Sequence, residues 1–325
     1  MMITTLTLNP AIDKTLILED FVVNGINRVK SINIEPGGKG INASKIIKSL
    51  GGETIALGIL GGVTGDVILS MLKEKGIPQD FIRIRGETRT NTKIVDIKNN
   101  TCTEVNESGP IVQKDELDKL VERIVLYSKK SDILILSGNA QSSVPKTIYK
   151  DIIEHIKKNT KTILDSSGKL LREGIKAIPW MIKPNIKELR ELTNKELSNV
   201  EELVLECKAL IKTGISYVCL SLGKDGLLLM SKDEAYLAIP PEVMAKSTVG
   251  AGDSVVGSLA LSFSQNEDLA CAARKACAVG TASVTLEGTG VPTKEIIDEF
   301  YNAVEIKRDD YFNEINMKLN KILIV

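Results

Sequence analysis

The stretch Ser247-Thr248-Val249-Gly250-Ala251-Gly252-Asp253-Ser254 sets two glycines directly ahead of an aspartate. An apolar run follows at helical spacing: Val255, Val256, Leu259, Ala260 and Phe263. A helix begun on such a turn offers an anion free backbone amides and roughly half a positive charge from its dipole. Asp253 would then stand within reach of a phosphate in transfer, so the turn reads as a phosphoryl-transfer device with its own base. The same eight residues read equally as an ordinary glycine-rich helix start capped by Asp253.

Pro36-Gly37-Gly38-Lys39-Gly40-Ile41-Asn42 is a second glycine turn, opening a helix over Ile41–Leu50. It has neither the G-x-x-x-x-G-K-[ST] spacing of a P-loop nor the G-x-G-x-x-G of a dinucleotide fold. Its amides and one lysine suit a sugar hydroxyl or a phosphate, and a tight packing turn is the competing reading. Asn185 and Glu188, three apart on one helical face, could organise waters around Mg²⁺ or simply form a capping box. Arg89 suits an anionic substrate if a lid covers it, and is otherwise a solvated arginine. The single histidine, His155, lies among lysines on a polar helix. Histidine triads and multi-histidine metal sites are therefore excluded, and acid–base work falls to carboxylates, lysines or hydroxyls.

The elements that must position these residues alternate. Strands are expected at Ile3–Leu8, Thr54–Leu60, Ile133–Leu136, Thr162–Leu164, Trp180–Ile182 and Tyr217–Leu222. Amphipathic helices are expected at Ile41–Leu50, Val67–Lys75, Leu117–Lys129, Pro145–Lys158, Val200–Thr213, Leu269–Val284 and Thr293–Val304. The alternation predicts a mostly parallel sheet with helices on both faces, whose ligands bind beyond the carboxyl ends of the strands. The strand exits are polar: Asn9 and Asp13, Ser137-Gly138-Asn139, Asp165-Ser166-Ser167, Lys183-Pro184-Asn185 and Ser221-Leu222-Gly223. Residues 14–35 and about 88–106 break the pattern as β-rich excursions, the second with a hairpin near Asn99-Asn100. They are too short for a core of their own and predict a small lid. The tail beyond Val304 turns polar and receives no role.

Composition narrows the classes further. In 325 residues, 42 Lys and Arg balance 42 Asp and Glu, so no basic field calls for nucleic acid or an anionic membrane. The 43% hydrophobic content supports a substantial core. Neither a basic leader nor a run of about 20 apolar residues is present. Five cysteines without a C-x-x-C pair suggest free thiols in a reducing cytoplasm.

Taken together, and in this order, the motifs resemble those of the ribokinase-like carbohydrate kinases of the PfkB type. The resemblance runs from Thr5-Leu6-Thr7-Leu8-Asn9-Pro10-Ala11-Ile12-Asp13 to about Val304. Residues 247–254 match the C-terminal signature of that family and 36–42 its N-terminal one. It implies one three-layer α/β/α kinase domain with a mostly parallel central sheet and a small β-rich lid. ATP and Mg²⁺ would be its cofactors, and a homodimer clasped through the lid its assembly.

By resemblance, Asp253 would be the base and Gly250, Ala251 and Gly252 the anion hole. Asp13, Gly37, Gly38, Lys39 and Asn42 would hold the sugar, joined by Ser137, Gly138 and Asn139. Arg89 would read the phosphate already on the substrate, helped by Lys39 or Arg28. Lys183, Asn185, Glu188, Ser221, Gly223, Gly226, Thr248 and Ser283 would serve the nucleotide, with Glu188 meeting Mg²⁺ through water and Ala278–Ser283 bordering the adenine. Where the family usually reads Ser-Gly-Ser-Leu-Pro, this chain has Ser137-Gly138-Asn139-Ala140-Gln141, which bears on substrate preference. The resemblance is nearest to the 1-phosphofructokinase and tagatose-6-phosphate kinase branch, implying fructose 1-phosphate as substrate. Tagatose 6-phosphate and fructose 6-phosphate are the alternatives within the family. A non-catalytic sugar or nucleotide sensor is the rival from another class; a Rossmann dehydrogenase lacks its glycine fingerprint.

Overall fold

The structure is a computed structural model that describes residues 1–308. The chain opens with β1 (Met2–Thr7), β2 (Ala11–Leu18), β3 (Ser31–Gly37), α1 (Lys39–Ser49), β4 (Glu53–Leu60) and α2 (Gly62–Glu74). It continues through β5 (Gln79–Arg83), β6 (Arg89–Asp96), β7 (Thr101–Asn106), α3 (Lys114–Ser128), β8 (Ile133–Ser137) and α4 (Ile148–Ile156). Next come β9 (Lys161–Asp165), α5 (Gly168–Gly174), β10 (Met181–Ile182), α6 (Ile186–Thr193), α7 (Val200–Lys212) and β11 (Tyr217–Ser221). The hairpin β12 (Leu227–Met230) and β13 (Ala235–Ile239) precedes α8 (Ala251–Ser264), α9 (Leu269–Val284), α10 (Lys294–Ala303) and β14 (Glu305–Arg308).

Ten strands form one sheet in the order β14-β13-β12-β11-β10-β9-β8-β1-β4-β5. From β5 to β11 every pairing is parallel, and β12, β13 and β14 extend the edge antiparallel. Successive side chains of a strand point to opposite faces, and the core follows that period. Leu134 and Leu136 pack under α3, α4 and α7, whereas Ile133 and Ile135 pack under α1, α8 and α9. The expected three-layer α/β architecture is what forms. The sequence reading missed β5, α5, the β12–β13 hairpin and β14 at the start of the polar tail, the rest of which lies outside the described residues. It also started α2 five residues late because Gly62, Thr64 and Gly65 carry no apolar period.

The register of the parallel strands builds the rim. Thr7 lies opposite Ser137 and Ser137 opposite Asp165, while Asn185 bridges Ser221 across the next gap. All these exits therefore open at the same carboxyl edge. Tyr149, fully buried on α4, donates its hydroxyl to Ser137 O and Gly138 O at 2.9 and 3.0 Å. That fixes the turn in which Gly138 takes φ +90°.

The two β-rich excursions combine into a second sheet, β3-β2-β6-β7, with β2 and β6 parallel. Asp96 pairs with Thr101 across a tight turn where Asn100 takes φ +51°, so the expected hairpin is present. The two faces of this sheet differ. Asp13, Asn91, Lys93, Glu104 and Asn106 face the main body, and Ile32, Ile34, Leu16, Ile94 and Val105 share the opposite face by register.

Candidate active site

A cavity of about 1340 Å³ lies between the carboxyl edge of the large sheet and the inner face of the lid. Most residues expected to act are brought to its walls. Asp13, Gly38, Lys39, Asn42, Arg89, Ser137, Gly138 and Asn139 line it from the lid side and the first strands. Lys183, Asn185, Glu188, Ser221, Gly223, Gly226, Thr248 and the turn Gly250–Asp253 line it from the other. Three expected residues do not reach it: Gly37, Ser283 and Arg28. Gly37 lies behind Asp13, where a Cβ would fall 2.1 Å from the carboxylate, so its glycine makes room for that side chain. Ser283 is buried off the lining face of α9, its hydroxyl bonded to Val279 O and Ser254 Oγ at 2.8 and 2.9 Å. Cys277, Gly280, Thr281 and Val284 line the cavity from that helix instead. Arg28 is exposed on the loop before β3 and is not a lining residue, and His155 is exposed on α4, bonded to Asp151 O.

At the centre the N-termini of α1 and α8 meet. Gly250 caps α8 with φ +82°, a left-handed conformation in which glycine carries no Cβ penalty. Ala251, Gly252 and Asp253 form the first turn, whose amides lack intrahelical acceptors. Asn42 Nδ2 donates to Asp253 Oδ2 at 2.8 Å, tying the two glycine turns together across 211 residues of sequence. A second carboxylate, Asp165, sits between two ammonium groups, Lys183 Nζ and Lys39 Nζ, each at 3.2 Å. A Cβ at Gly252 would lie 3.2 Å from Lys183 Nζ, so this ammonium stands against the α8 turn itself.

The two buried carboxylates titrate in opposite directions. Burial pushes Asp253 up from the ordinary carboxylate range, and the nearby Asp165 charge adds to the rise; Lys39, Asn42 and Lys183 only partly offset this. Burial also disfavours ionised Asp165, but Lys183 and Lys39 outweigh it and hold that carboxyl down. Lys39 stays charged because Asp165, Asp253 and Glu188 outweigh its own burial. The structural core of the site is thus a fixed Asp165 anion and a proton-avid Asp253 about a shared lysine.

Buried polar groups normally find partners. Asn9 Oδ1, Asn42 Oδ1, Arg89 Nε, Asn91 Oδ1 and Ser221 Oγ are buried without one among the described residues, and all five belong to lining residues. This is unused capacity for a polar ligand. The other nitrogens of Arg89 donate to Glu107 O and Asn9 O at 3.2 Å, holding the guanidinium at the foot of the lid. Asn185 and Glu188 do form a reciprocal capping box, at 2.8 and 2.9 Å, which engages only Glu188 Oε2. Near the hairpin the lining turns apolar, with Leu227, Leu237, Ile239, Val243, Val255 and Val284.

Asp165 was legible only as a polar strand exit, because its two lysines arrive from 126 and 18 residues away. Asn91, which donates to Asp13 Oδ1 at 2.9 Å, gave no sequence signal.

A sequence model for the pfkB family carbohydrate kinases matches residues 6–296. Over 283 residues the chain is 37% identical to the 1-phosphofructokinase of Borreliella burgdorferi, covering 87% of this chain and 91% of that protein. It is 35% identical over 308 residues to the 1-phosphofructokinase of Bacillus subtilis, covering 94% and 100%. Among solved structures, phosphofructokinase-2 from Escherichia coli in complex with substrates and products is similar with a TM-score of 0.89. Its identity is 30%, over 93% of this chain and 99% of that one.

Asp253 should weigh on stability. Its folded carboxyl binds a proton more tightly than the unfolded one, so this group lowers stability as pH rises out of the ordinary carboxylate range, near pH ~4. The cost is fully present above the raised value. Asp253→Asn keeps an acceptor for Asn42 and removes the charge. We expect its melting temperature to exceed wild type at neutral pH, with the gap closing on acidification. A lower melting temperature at neutral pH would contradict the assigned direction.

Proposed function

The chain belongs to the pfkB family of carbohydrate kinases, and within it we propose that it transfers the γ-phosphoryl group of ATP to fructose 1-phosphate, giving fructose 1,6-bisphosphate. The observation that carries this reading is the buried Asp253 at the amide-rich start of α8, in a cavity whose lid wall is polar and whose hairpin wall is apolar. The two relatives named as 1-phosphofructokinases, similar over nearly their whole length, support the choice of substrate.

In this reading the sugar lies between Asp13, Gly38, Asn42 and the 137–139 turn. Its free primary hydroxyl points at Asp253 and its phosphate at Arg89. The oxygen–phosphorus bond to the sugar forms as the bond to ADP breaks, and the hydroxyl proton passes to Asp253 late in transfer. The raised proton affinity of Asp253 suits a group that must accept that proton. Amides of Ala251 and Gly252, with Lys183 beside them, stabilise the charge on the moving phosphoryl group. The adenine rests against the apolar wall near Gly280 and Val284.

Mg²⁺ would neutralise phosphate charge when bound. The donor set fits such an ion: Glu188 lines the cavity with Oε1 outside the capping box, and one carboxylate with waters and phosphates is how Mg²⁺ is commonly held. Five free cysteines, three of them buried, are in keeping with a reducing cytoplasm. The outer lid face carries Ile32, Ile34 and Val105, which are 55%, 43% and 56% exposed. Its apolar row supports a homodimer formed through the lids.

Coupled ADP release, measured with fructose 1-phosphate, fructose 6-phosphate and tagatose 6-phosphate, tests the activity. Fructose 1-phosphate should lead, and a preference of about ten-fold or more for either 6-phosphate would overturn the choice. Asp253→Asn should bind both substrates while kcat falls by about 10²–10⁴; near-normal turnover would remove Asp253 as base. The dimer predicts that Ile34→Lys shifts the mass by light scattering from two copies to one. A monomeric wild type would end that part of the reading.

A further inference from the structure

Lys45 is a buried cation with no part in the chemistry proposed above. It lies on α1 at 3% exposure, six residues beyond Lys39. Its Nζ donates to Pro36 O and Thr289 Oγ1 at 3.1 Å and to Thr289 O at 3.5 Å. Glu35 Oε2 lies 3.8 Å away and is shared with Lys75 at 3.2 Å.

These acceptors stand behind two separate walls of the cavity. Pro36 is the penultimate residue of the lid strand β3, followed by the Gly37 that makes room for the Asp13 carboxylate. Thr289 backs the other wall: a Cβ at Gly250 would lie 3.3 Å from Thr289 Cγ2 and 3.6 Å from its Cβ. One ammonium therefore spans from the backbone behind Asp13 to the residue behind the α8 turn.

We propose that Lys45 is a positioning residue for phosphoryl transfer, its ammonium fixing the lid strand behind Asp13 relative to the loop behind Gly250. The proposal rests on the kinase reading, since it matters only if sugar and phosphoryl group must be held in register by those two walls. A displacement of about 1 Å can cost a hundred-fold in rate, so a rigid tie between the walls has a direct kinetic value.

The charge on this group is conditional. Burial pulls the ammonium down to about 8, with Lys75 adding to the fall; Glu35 on β3, Asp13 on β2 and Asp253 on α8 oppose it. Below that value Lys45 offers three N–H groups to three acceptors. Above it a neutral amine has only two, and the attraction to Glu35 disappears. Stability moves the other way. Between about 8 and the ordinary lysine value of 10.5 the unfolded chain binds more protons than the folded one, so this group favours folding more as pH rises. Loss of activity across that range would therefore not be loss of fold.

The test compares kcat against pH for wild type, Lys45→Met, Lys45→Arg and Glu35→Gln, with melting temperature followed at each pH. Wild type should lose kcat as pH rises through about 8 without losing stability. Lys45→Met should have kcat lowered by about ten- to a hundred-fold at neutral pH and lack the alkaline limb. Lys45→Arg should recover part of the rate and keep it to higher pH. Glu35→Gln, which removes an opposing charge, should move the limb to lower pH. An unchanged limb in Glu35→Gln or Lys45→Met, or wild-type kcat in Lys45→Met, would overturn the proposal while leaving the kinase reading intact.

A wild type inactive on all three sugar phosphates would instead sink the kinase reading. Hydrogen exchange of wild type between pH 7 and 9 then decides the tie alone. Faster opening at 35–38 and 288–290 above pH 8, beyond the intrinsic rate change, supports it, and unchanged protection rejects it.

Discussion

Two carboxylates removed from water, Asp253 on the cavity wall and Asp165 behind it against Lys39 and Lys183, set the terms for the rest of the site. An ionised carboxylate taken into a protein interior costs several kcal/mol unless charges and donors surround it. Asp165 meets that condition with two ammonium groups at 3.2 Å. Asp253 does not: Asn42 is its one hydrogen-bond donor among the described side chains, and Lys39 acts on it at longer range. The two acids are thereby driven apart in proton affinity. Such a divergence lets two chemically identical groups perform different tasks, one as fixed charge and the other as proton acceptor. Asp165 accordingly pairs with Lys39 and Lys183, and the second of these stands against Gly252.

The fold supplies this arrangement through register and glycine. Parallel strands bring every exit to one edge, so residues far apart in sequence end in a single row. The α1 and α8 turns then approach that row closely because neither carries side chains in the way. At Gly40 a Cβ would stand 2.6 Å from Leu6 O and from Thr7 Oγ1, the hydroxyl that accepts Ile41 N at 3.0 Å and so fixes the start of α1. The placement of the α1 turn thus depends on its backbone contact with β1 as much as on any charged residue.

Much of this was legible in the sequence, for identifiable reasons. Strands such as Ile133–Ser137 declare themselves by continuous apolar runs, and α9 matches its expected span because its small residues keep one periodic face. The cavity rim was also legible, since polar residues at the exits of apolar strands have few structural reasons to be there. Short elements were less so: β10 lies within the expected strand Trp180–Ile182 and places Lys183, but β5, with five residues, and α5, with seven, went unseen. The capping box at Asn185 and Glu188 shows a different limit. The capping reading holds, and it does not exclude the other, because the cap engages one carboxylate oxygen of a residue that also lines the cavity. Lys45 was invisible because its acceptors, Pro36 O and the Thr289 pair, include two backbone carbonyls that no residue type announces.

The lid turns one sheet to two uses through the period of two. Asp13, Asn91, Lys93, Glu104 and Asn106 alternate with Leu16, Ile94 and Val105, so a single register fixes a polar inner face and an apolar outer one. A slip by one residue would exchange them, moving the charges to the exposed outer face and turning apolar side chains into the cavity. The register is therefore under constraint from both faces at once. Where it is anchored follows from the chain: β3 leads through Pro36 and Gly37 straight into α1, and β2 leaves β1 at Asn9. Both anchors lie within the glycine turn and the first strand exit. The foot of the lid is therefore where its register meets the site, through Asp13 on β2 and Lys39 at the start of α1.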